Sequence, residues 1–273
     1  MNISDFKGLT VLITGASFGI GEAFAYYLAS LGANLVLTAR SADKLKLIAC
    51  ELKQKYAISV QVFPADLSES AAPWQIFDQI KAAGLNVDVL INNAGFGKWA
   101  YFHAVDIESY QQMLTVNINA LVRLTYLVLP DMLARGKGGV INVASTAAFQ
   151  PVPYIAVYSA SKSFVLNFTE ALAGEYTEKG LNFLALCPGS TDTNFMKVAN
   201  PEIDTSDENF ATPEDVVRSG ISAFVKGRKY HVPGVMNYLL SLLPRIFPRA
   251  VAIRVVANMF KDRVASFSVL ESK

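Results

Sequence analysis

Short, almost continuous apolar runs alternate along the chain with longer stretches of mixed apolar and polar residues. Apolar runs of this length are typical of strands in a parallel sheet that is covered on both faces. The mixed stretches predict amphipathic helices, and Gly32 ends the first of them. The pattern predicts strands at Thr10–Thr14, Leu35–Thr38, Ser59–Phe63, Val87–Ile91, Val140–Val143, Asn182–Leu186 and, very short, His231–Val232. It predicts helices over Glu22–Leu31, Ala42–Lys55, Pro73–Ala83, Ile107–Arg135 and Val157–Glu178.

This alternation predicts an α/β fold, a doubly wound Rossmann-type parallel sheet of about seven strands. We expect residues 1–233 to form the main domain and residues 234–273 a helical extension of it. The polar segment Lys197–Phe210 predicts a loop, after which Thr212 caps a further helix. Ligands of such sheets bind beyond the carboxyl ends of the strands, so chemistry is expected in the residues that follow each strand.

Charge and apolar content narrow the classes of function. The chain has 273 residues, with 24 basic against 23 acidic ones and a formal net charge of +1. No nucleic-acid partner is expected, because such binding needs a clustered basic excess. Apolar residues make up 52% and charged residues only 17%, below the usual quarter. Some of this apolar surplus is expected to face a ligand or a membrane.

Cysteine usage and the termini bear on the compartment. Cys50 and Cys187 are too few for a disulfide scaffold and lack the spacing of a zinc site, so we predict no metal and a reduced, cytoplasmic setting. The N-terminus does not read as a signal peptide. The most apolar run, Tyr230–Pro244, has 15 residues and two prolines. It is shorter than the roughly 20 residues that a membrane span needs, so no transmembrane helix is expected.

A glycine-punctuated turn, residues 14–21, joins the first strand to the first helix. Glycines there let backbone amides approach a pyrophosphate, and the start of a helix favours negative charge. The alternative is a glycine-rich turn that holds no ligand. If a dinucleotide binds, Arg40 at the end of the second strand favours NADP(H), because a planar guanidinium suits a 2′-phosphate. NAD(H) stays an alternative, with Arg40 then an ordinary solvated side chain.

Polar or small residues also follow the third and fourth strands. Asp66 comes after the third strand, and the run Asn92–Gly95 after the fourth. Small residues and amides at these places would let a ribose or a flat ring pack against the backbone. Taken alone, Asp66 reads equally well as a helix N-cap, and the Asn-Asn-Ala-Gly run as a simple turn.

Tyr158 and Lys162 lie four positions apart on a predicted helix and therefore share a face. A buried ammonium beside a phenol is expected to lower the tyrosine pKa, which would make Tyr158 an acid or base near neutral pH. Ser145 follows the fifth strand, where its hydroxyl could bind a substrate oxygen. Asn117 lies inside the long helix before that strand, an unfavourable place that suggests it holds a backbone group or a water.

Taken in order, these motifs resemble the short-chain dehydrogenase/reductase family, from about Lys7 to Val232. The resemblance rests on TGASFGIG (14–21), NNAG (92–95), VNINA (116–120), INVAS (141–145), YSASK (158–162) and CPGSTDT (187–193). It implies hydride transfer between C4 of a nicotinamide and a carbonyl or alcohol carbon, with residues 1–233 binding the dinucleotide. It also implies a homodimer or homotetramer formed through the two long helices.

The resemblance further implies a role for each matching residue. Tyr158 would be the general acid for carbonyl reduction and the base for the reverse. Lys162 would lower its pKa and hold the nicotinamide ribose, Ser145 would orient the reacting oxygen, and Asn117 would fix a water in a proton relay. The implied cofactor-binding residues are Gly15, Ser17, Gly19, Ile20, Gly21, Arg40, Asp66, Leu67, Asn93, Ala94, Gly95, Tyr158, Lys162, Pro188, Gly189 and Thr193. One departure is Phe18, where some NADP-dependent members carry a basic residue.

The rest of the chain points to an apolar substrate. No charged side chain occurs from Gly138 to Ser161, so we expect a lipophilic ketone or aldehyde of the 3-oxoacyl or steroid-like kind. The segment 235–260 is apolar but carries Arg245, Arg249 and Arg254. It predicts an amphipathic helix that lies peripherally on a membrane or covers an apolar site. The alternative is packing on its own domain or on a second subunit. A different class of function, a catalytically silent cofactor-binding scaffold or sensor, stays open.

Overall fold

The computed structural model describes residues 3–193, 195, 199 and 210–265. Most of the predicted loop Lys197–Phe210 lies outside these residues, as do the last eight residues of the predicted extension. Within the described chain, one parallel sheet of seven strands carries helices on both faces, which confirms the predicted fold class.

The strand order is β3-β2-β1-β4-β5-β6-β7, and every neighbouring pair is parallel. The order reverses between β1 and β4, which creates a crevice at their carboxyl ends where doubly wound sheets bind ligands. The predicted strands are confirmed, and each observed end lies within two residues of the predicted one. Their bounds are β1 Thr10–Thr14, β2 Asn34–Thr38, β3 Val60–Val62, β4 Val89–Asn92, β5 Gly138–Val143, β6 Leu181–Leu186 and β7 Tyr230–His231.

Nine α-helices are described, and one predicted helix is subdivided. The run Ile107–Arg135 is helical throughout, but its centre, Thr115–Ala120, widens into π-helix and separates α4 from α5. Thr212 caps α7 as predicted, accepting a hydrogen bond from the backbone N–H of Asp215. The helices are α1 Gly19–Ser30, α2 Ala42–Tyr56, α3 Ala72–Ala82, α4 Ile107–Leu114, α5 Leu121–Arg135, α6 Ala156–Tyr176, α7 Pro213–Val225, α8 Val235–Ile246 and α9 Arg249–Ala265.

Two apolar layers hold the sheet between the helices. One layer joins α1, α2 and α7 to the sheet, and the other joins α3, α5 and α6 to the opposite face. By length and composition alone the helical run Ile107–Arg135 could cross a membrane, which the sequence had not led us to expect. Leu124, Val128 and Met132 of this run are buried in the second layer, so the run serves as a core helix.

Candidate active site and cofactor cleft

The glycine turn opens α1 at the switch point of the sheet. Phe18 is the N-cap of α1 and provides no side-chain hydrogen bond to the first turn of the helix. The first amides of the helix are therefore left for an anion. Gly21 packs so closely that a Cβ there would lie 2.2 Å from the carbonyl oxygen of Gly15. A cavity of about 810 Å³ opens between α1 and α7, with Gly19 and Thr193 in its wall, but none of the predicted catalytic residues lines it.

Thr14 and Asn93 tie this turn to the loop after β4. The Thr14 hydroxyl accepts hydrogen bonds from the backbone N–H groups of Asn93 and Ala94, at 3.0 and 2.9 Å. The Asn93 amide donates back to the carbonyls of Thr14 and Gly15, at 3.0 and 3.2 Å. The Asn93 side chain thus shapes the predicted cofactor cleft by holding the glycine turn.

Arg40 lies exposed just beyond β2. In the described part of the chain no carboxylate pairs with its guanidinium. On the neighbouring helix, the ammonium of Lys44 lies 5.8 Å from the centre of the Phe18 ring and 3.1 Å from a Glu22 carboxylate oxygen. A second cation therefore reaches the glycine turn from α2, although Phe18 itself is not basic.

The two predicted cofactor-binding residues after β3, Asp66 and Leu67, both direct their side chains to groups of the protein. One Asp66 carboxylate oxygen accepts hydrogen bonds from the backbone N–H and the hydroxyl of Ser68, at 2.9 and 2.8 Å. These bonds form a local turn. The alternative interpretation of Asp66 as a helix N-cap is wrong, because the N-cap of α3 is Ala71. The Leu67 side chain packs into the apolar layer beneath α3, so only its backbone remains to meet a ligand.

Tyr158, near the start of α6, is buried beside Ser145 and Phe195. A hydrogen bond joins the Tyr158 and Ser145 hydroxyls, and the Phe195 ring lies 5.2 Å from the tyrosine ring. Burial raises the pKa of Tyr158 to about 12, with the Ser145 hydrogen bond acting in the opposite direction. The predicted lowering of this pKa is thus wrong for the described chain, because removing the phenol from water outweighs the stabilising contacts.

Lys162 lies one helical turn further along α6, with its ammonium 5.7 Å from the centre of the Tyr158 ring. It donates a 2.7 Å hydrogen bond to the carbonyl of Val143 at the end of β5. Burial lowers the pKa of Lys162 to about 8. The group therefore stays mostly protonated at neutral pH and places a positive charge under the tyrosine ring.

Asn117 lies in the π-helical turn, and its side chain binds backbone, one of the two functions that the sequence left open. Its amide donates to the carbonyl of Phe96 and to the hydroxyl of Ser161, each at 3.1 Å, and its oxygen accepts from the Phe96 N–H. Both amide hydrogens therefore go to protein groups, so this side chain holds backbone after Gly95. Wider helical turns of this kind are frequent at functional sites.

The loop after β6 brings the last predicted residues to the cleft. The carbonyl of Pro188 accepts a hydrogen bond from the N–H of Thr146, just after Ser145. Thr193 packs on the glycine turn, where a Cβ on Gly19 would lie 2.7 Å from its methyl group. Gly189 packs against Asn237 at the start of α8 in the same way.

Sequence reasoning missed a buried chain of polar side chains beneath the site. Asn92 donates to Asn142 at 2.9 Å and to Thr125 at 3.1 Å, and Asn142 donates to Thr169 at 2.9 Å. These hydrogen bonds join β4 and β5 to α5 and α6. Asn92 ends an apolar strand and Asn142 interrupts one, a signal that could have found them, because a buried amide requires partners.

The described residues fit a dinucleotide. A phosphate can meet the uncapped amides at the start of α1, and the loop Asn93–Gly95 is held open beside them by Thr14 and Asn117. At the far end of this crevice lie the Ser145 and Tyr158 hydroxyls and the Lys162 ammonium. A phosphate-binding turn at the switch point and a proton donor beyond β5 together define a dinucleotide-dependent oxidoreductase.

Comparison with known proteins makes this class specific. The sequence model of the protein family described as short chain dehydrogenase matches residues 9–204 of this chain. A very-long-chain 3-oxoacyl-CoA reductase of Anas platyrhynchos is 34% identical over 87% of this chain and 76% of its own. A 17-beta-hydroxysteroid dehydrogenase type 3 of Mus musculus is 34% identical over 93% and 83%. A short-chain dehydrogenase from Sphingobium yanoikuyae in complex with NADPH superposes with a TM-score of 0.78, at 30% identity, over 83% of this chain and 88% of its own.

The chain belongs to the short-chain dehydrogenase family. It is an oxidoreductase that acts on CH–OH and C=O groups, as the resemblance in its motifs implied.

Proposed function

We propose that this protein uses NADPH to reduce the carbonyl group of a lipophilic ketone or aldehyde, of the 3-oxoacyl or steroid-like kind. The observation that carries the proposal is the group of Ser145, Tyr158 and Lys162 side chains beyond the carboxyl end of β5. This group lies at the opposite end of the crevice from the glycine turn. The Tyr158 phenol is protonated at neutral pH and so holds the proton that carbonyl reduction consumes, and the nearby Lys162 ammonium favours its release.

In this proposal the bound cofactor supplies a hydride to the carbonyl carbon. The Ser145 hydroxyl donates a hydrogen bond that orients the carbonyl oxygen, and the Tyr158 hydroxyl gives its proton to that oxygen as the alcohol forms. The Lys162 ammonium stabilises the phenolate that remains. Asn117 acts as a positioning residue, because it fixes the loop against which the cofactor would pack.

Apolar groups around the hydroxyl pair support a lipophilic substrate. Phe195 packs on the Tyr158 ring, and Tyr154 packs edge-on against Tyr101 nearby. Gly97 lies against the Tyr158 and Phe195 rings, and Trp99, two residues further along, is buried. The relatives named 3-oxoacyl-CoA reductase and hydroxysteroid dehydrogenase act on compounds of this kind.

Substrate preference is tested with NADPH and three ketones: a long-chain 3-oxoacyl thioester, a steroid ketone and a ketose. We expect kcat/KM to be at least tenfold higher for one of the lipophilic ketones, because burying apolar surface favours their binding. Tyr158→Phe is the control for background reduction. Equal or faster turnover of the ketose would contradict the substrate class.

Cofactor preference is tested on Arg40. With Arg40→Ala we expect NADPH to bind at least tenfold more weakly, about 1.4 kcal/mol, because a 2′-phosphate loses its guanidinium partner. NADH affinity should change less than twofold. Lys46→Ala removes a solvated cation from α2, the helix that follows Arg40, and serves as the matched control. If both cofactors weaken equally on titration calorimetry, Arg40 is not the phosphate partner.

A further proposal concerns the oligomeric state of the protein. We propose a homodimer or homotetramer formed through α5 and α6, which expose Tyr126 and Phe164. Tyr126→Asp together with Phe164→Asp should lower the mass measured by light scattering, because two charges would be buried at the interface. Trp74→Asp, at an exposed position on α3, is the matched control. An unchanged mass in the double variant would place the interface elsewhere.

We further propose a cytoplasmic protein that contacts a membrane peripherally through residues 235–260. Residues 1–233 are proposed as the dinucleotide-binding and catalytic domain, with the C-terminal helices as an extension of it. Support comes from α8 and α9, which expose a series of large apolar side chains.

A further inference from the structure

We infer that α8 and α9 form an anionic-lipid docking surface that turns the substrate side of the site towards a bilayer, so that the apolar ketone is taken up from lipid. The inference rests on the proposed function, because it names the phase from which that substrate comes.

The outer faces of α8 and α9 are apolar. On α9 the exposed Val251, Val255 and Met259 recur every four residues, and so share one face. Val256 and Phe260 point the other way, with Val256 buried and Phe260 packed on Trp99. The exposed apolar residues of α8 are Val235, Met236, Tyr238, Leu239, Leu240, Leu243 and Ile246, and Phe247 follows directly. So many exposed apolar side chains on two successive helices are rare on a protein surrounded only by water.

The charge of this segment selects the partner. Residues 235–265, which span both helices, contain five basic residues and one acidic one. Arg249 and Arg254 are exposed on α9 among the apolar side chains. A two-fold contact between two copies would bring an excess of like charges together. An anionic lipid surface offers both an apolar phase and negative headgroups.

The inner faces of the same helices touch the loops around the active site. Asn237 of α8 packs on Gly189, and Phe260 of α9 meets Trp99 edge-on at 4.7 Å between ring centres. A cavity of about 190 Å³ lies between the loop that follows Ser145 and the two helices. It is lined by Phe149, Pro151, Pro244, Arg249 and Ala252. A surface docked through the outer faces would therefore place these loops close to the lipid.

The first experiment measures binding of the full-length protein to vesicles of phosphatidylcholine, with or without phosphatidylglycerol. We expect flotation with the anionic vesicles to exceed that with neutral ones. The double variant Met236→Glu with Ile246→Glu should abolish flotation, because both side chains are exposed and would carry charge into lipid.

The double variant Val255→Glu with Met259→Glu tests the contribution of α9 separately. Arg249→Gln and Arg254→Gln should each weaken anionic binding about fivefold. Leu47→Glu, at an exposed apolar position on α2, is the matched control.

The second experiment compares two substrates in the same proteins. A water-soluble ketone should be reduced equally by the wild type and all these variants. A long-chain ketone embedded in anionic vesicles should be reduced at least tenfold more slowly by the glutamate double variants. Normal flotation and normal reduction of the embedded ketone in those variants would overturn the inference, as would a change in oligomeric mass with no change in flotation. Absence of wild-type activity on every ketone, soluble or embedded, would instead contradict the proposed function.

Discussion

Tyr158→Phe is expected to lower kcat by about 10²- to 10⁴-fold, the range that a positioned general acid contributes. The phenylalanine keeps the ring that packs against Phe195 and removes only the hydroxyl that meets Ser145. Affinity for NADPH should stay within about threefold of the wild type, because the pyrophosphate and adenosine ends of the cleft are not touched. Stopped-flow turnover and titration calorimetry on the same preparation measure the two effects.

A matched change tests whether position matters as well as chemistry. Tyr154→Phe removes a hydroxyl from a neighbouring tyrosine that packs against Tyr101, and it should leave kcat within a fewfold of the wild type. Loss of NADPH binding in Tyr158→Phe would mean that the ring had moved. Unchanged turnover would remove Tyr158 from the mechanism. A wild type that binds NADPH but reduces no ketone would favour the silent scaffold over the enzyme.

Lys162→Met is expected to lower kcat by about 10- to 1000-fold, because a nearby cation stabilises an anionic partner by roughly one to three pKa units.

The same Lys162→Met change should alter the pH dependence of the free energy of unfolding. Burial lowers the pKa of Lys162 to about 8, against 10.5 for the free group. Between about pH 8 and pH 10.5 the unfolded chain therefore still holds this proton, whereas the folded chain has lost it. Between these values the unfolded state binds more protons, and the free energy of unfolding rises with pH.

The size of this slope follows from the two pKa values. The wild type should gain about 2 kcal/mol relative to Lys162→Met between pH 8 and pH 10. The lost hydrogen bond to Val143 adds an offset that does not change with pH. Urea unfolding of both proteins across this window measures the difference, and Lys179→Met, an exposed lysine beyond α6, is the control. Parallel stability curves for wild type and Lys162→Met would show that Lys162 is not buried as described.

Local patterns in the sequence predicted the elements and most of the site. The strand Thr10–Thr14 and the start of α2 at Ala42 are as predicted, because alternation of apolar and mixed runs is encoded by neighbouring residues. Tyr158 and Lys162 share a helix face for the same reason, since a spacing of four residues fixes their direction. The short β7 is displaced by one residue from the prediction, because two residues carry little pattern.

Contacts between distant residues were not predicted. Thr14 belongs to a quoted motif, yet its function in holding Asn93, 79 residues away, appeared only when β1 and β4 were paired. The π-helical turn at Asn117 breaks a run whose apolar spacing reads as ordinary helix. From the sequence Asp66 could be a ligand or a helix N-cap, but its bonds to Ser68 form a local turn and Ala71 is the N-cap of α3.

Local sequence patterns determined the α/β class, the glycine turn and the choice of Ser145, Tyr158 and Lys162 as candidate catalytic residues, because each of these depends on residue type and on short spacings. Only the tertiary structure decided the electrostatics of that set. The pKa of Tyr158 is raised and that of Lys162 lowered by burial, and burial is produced by segments far apart in the chain. The same is true of α8 and α9, whose composition marks them as apolar but whose inward and outward faces are set by packing against Gly189 and Trp99.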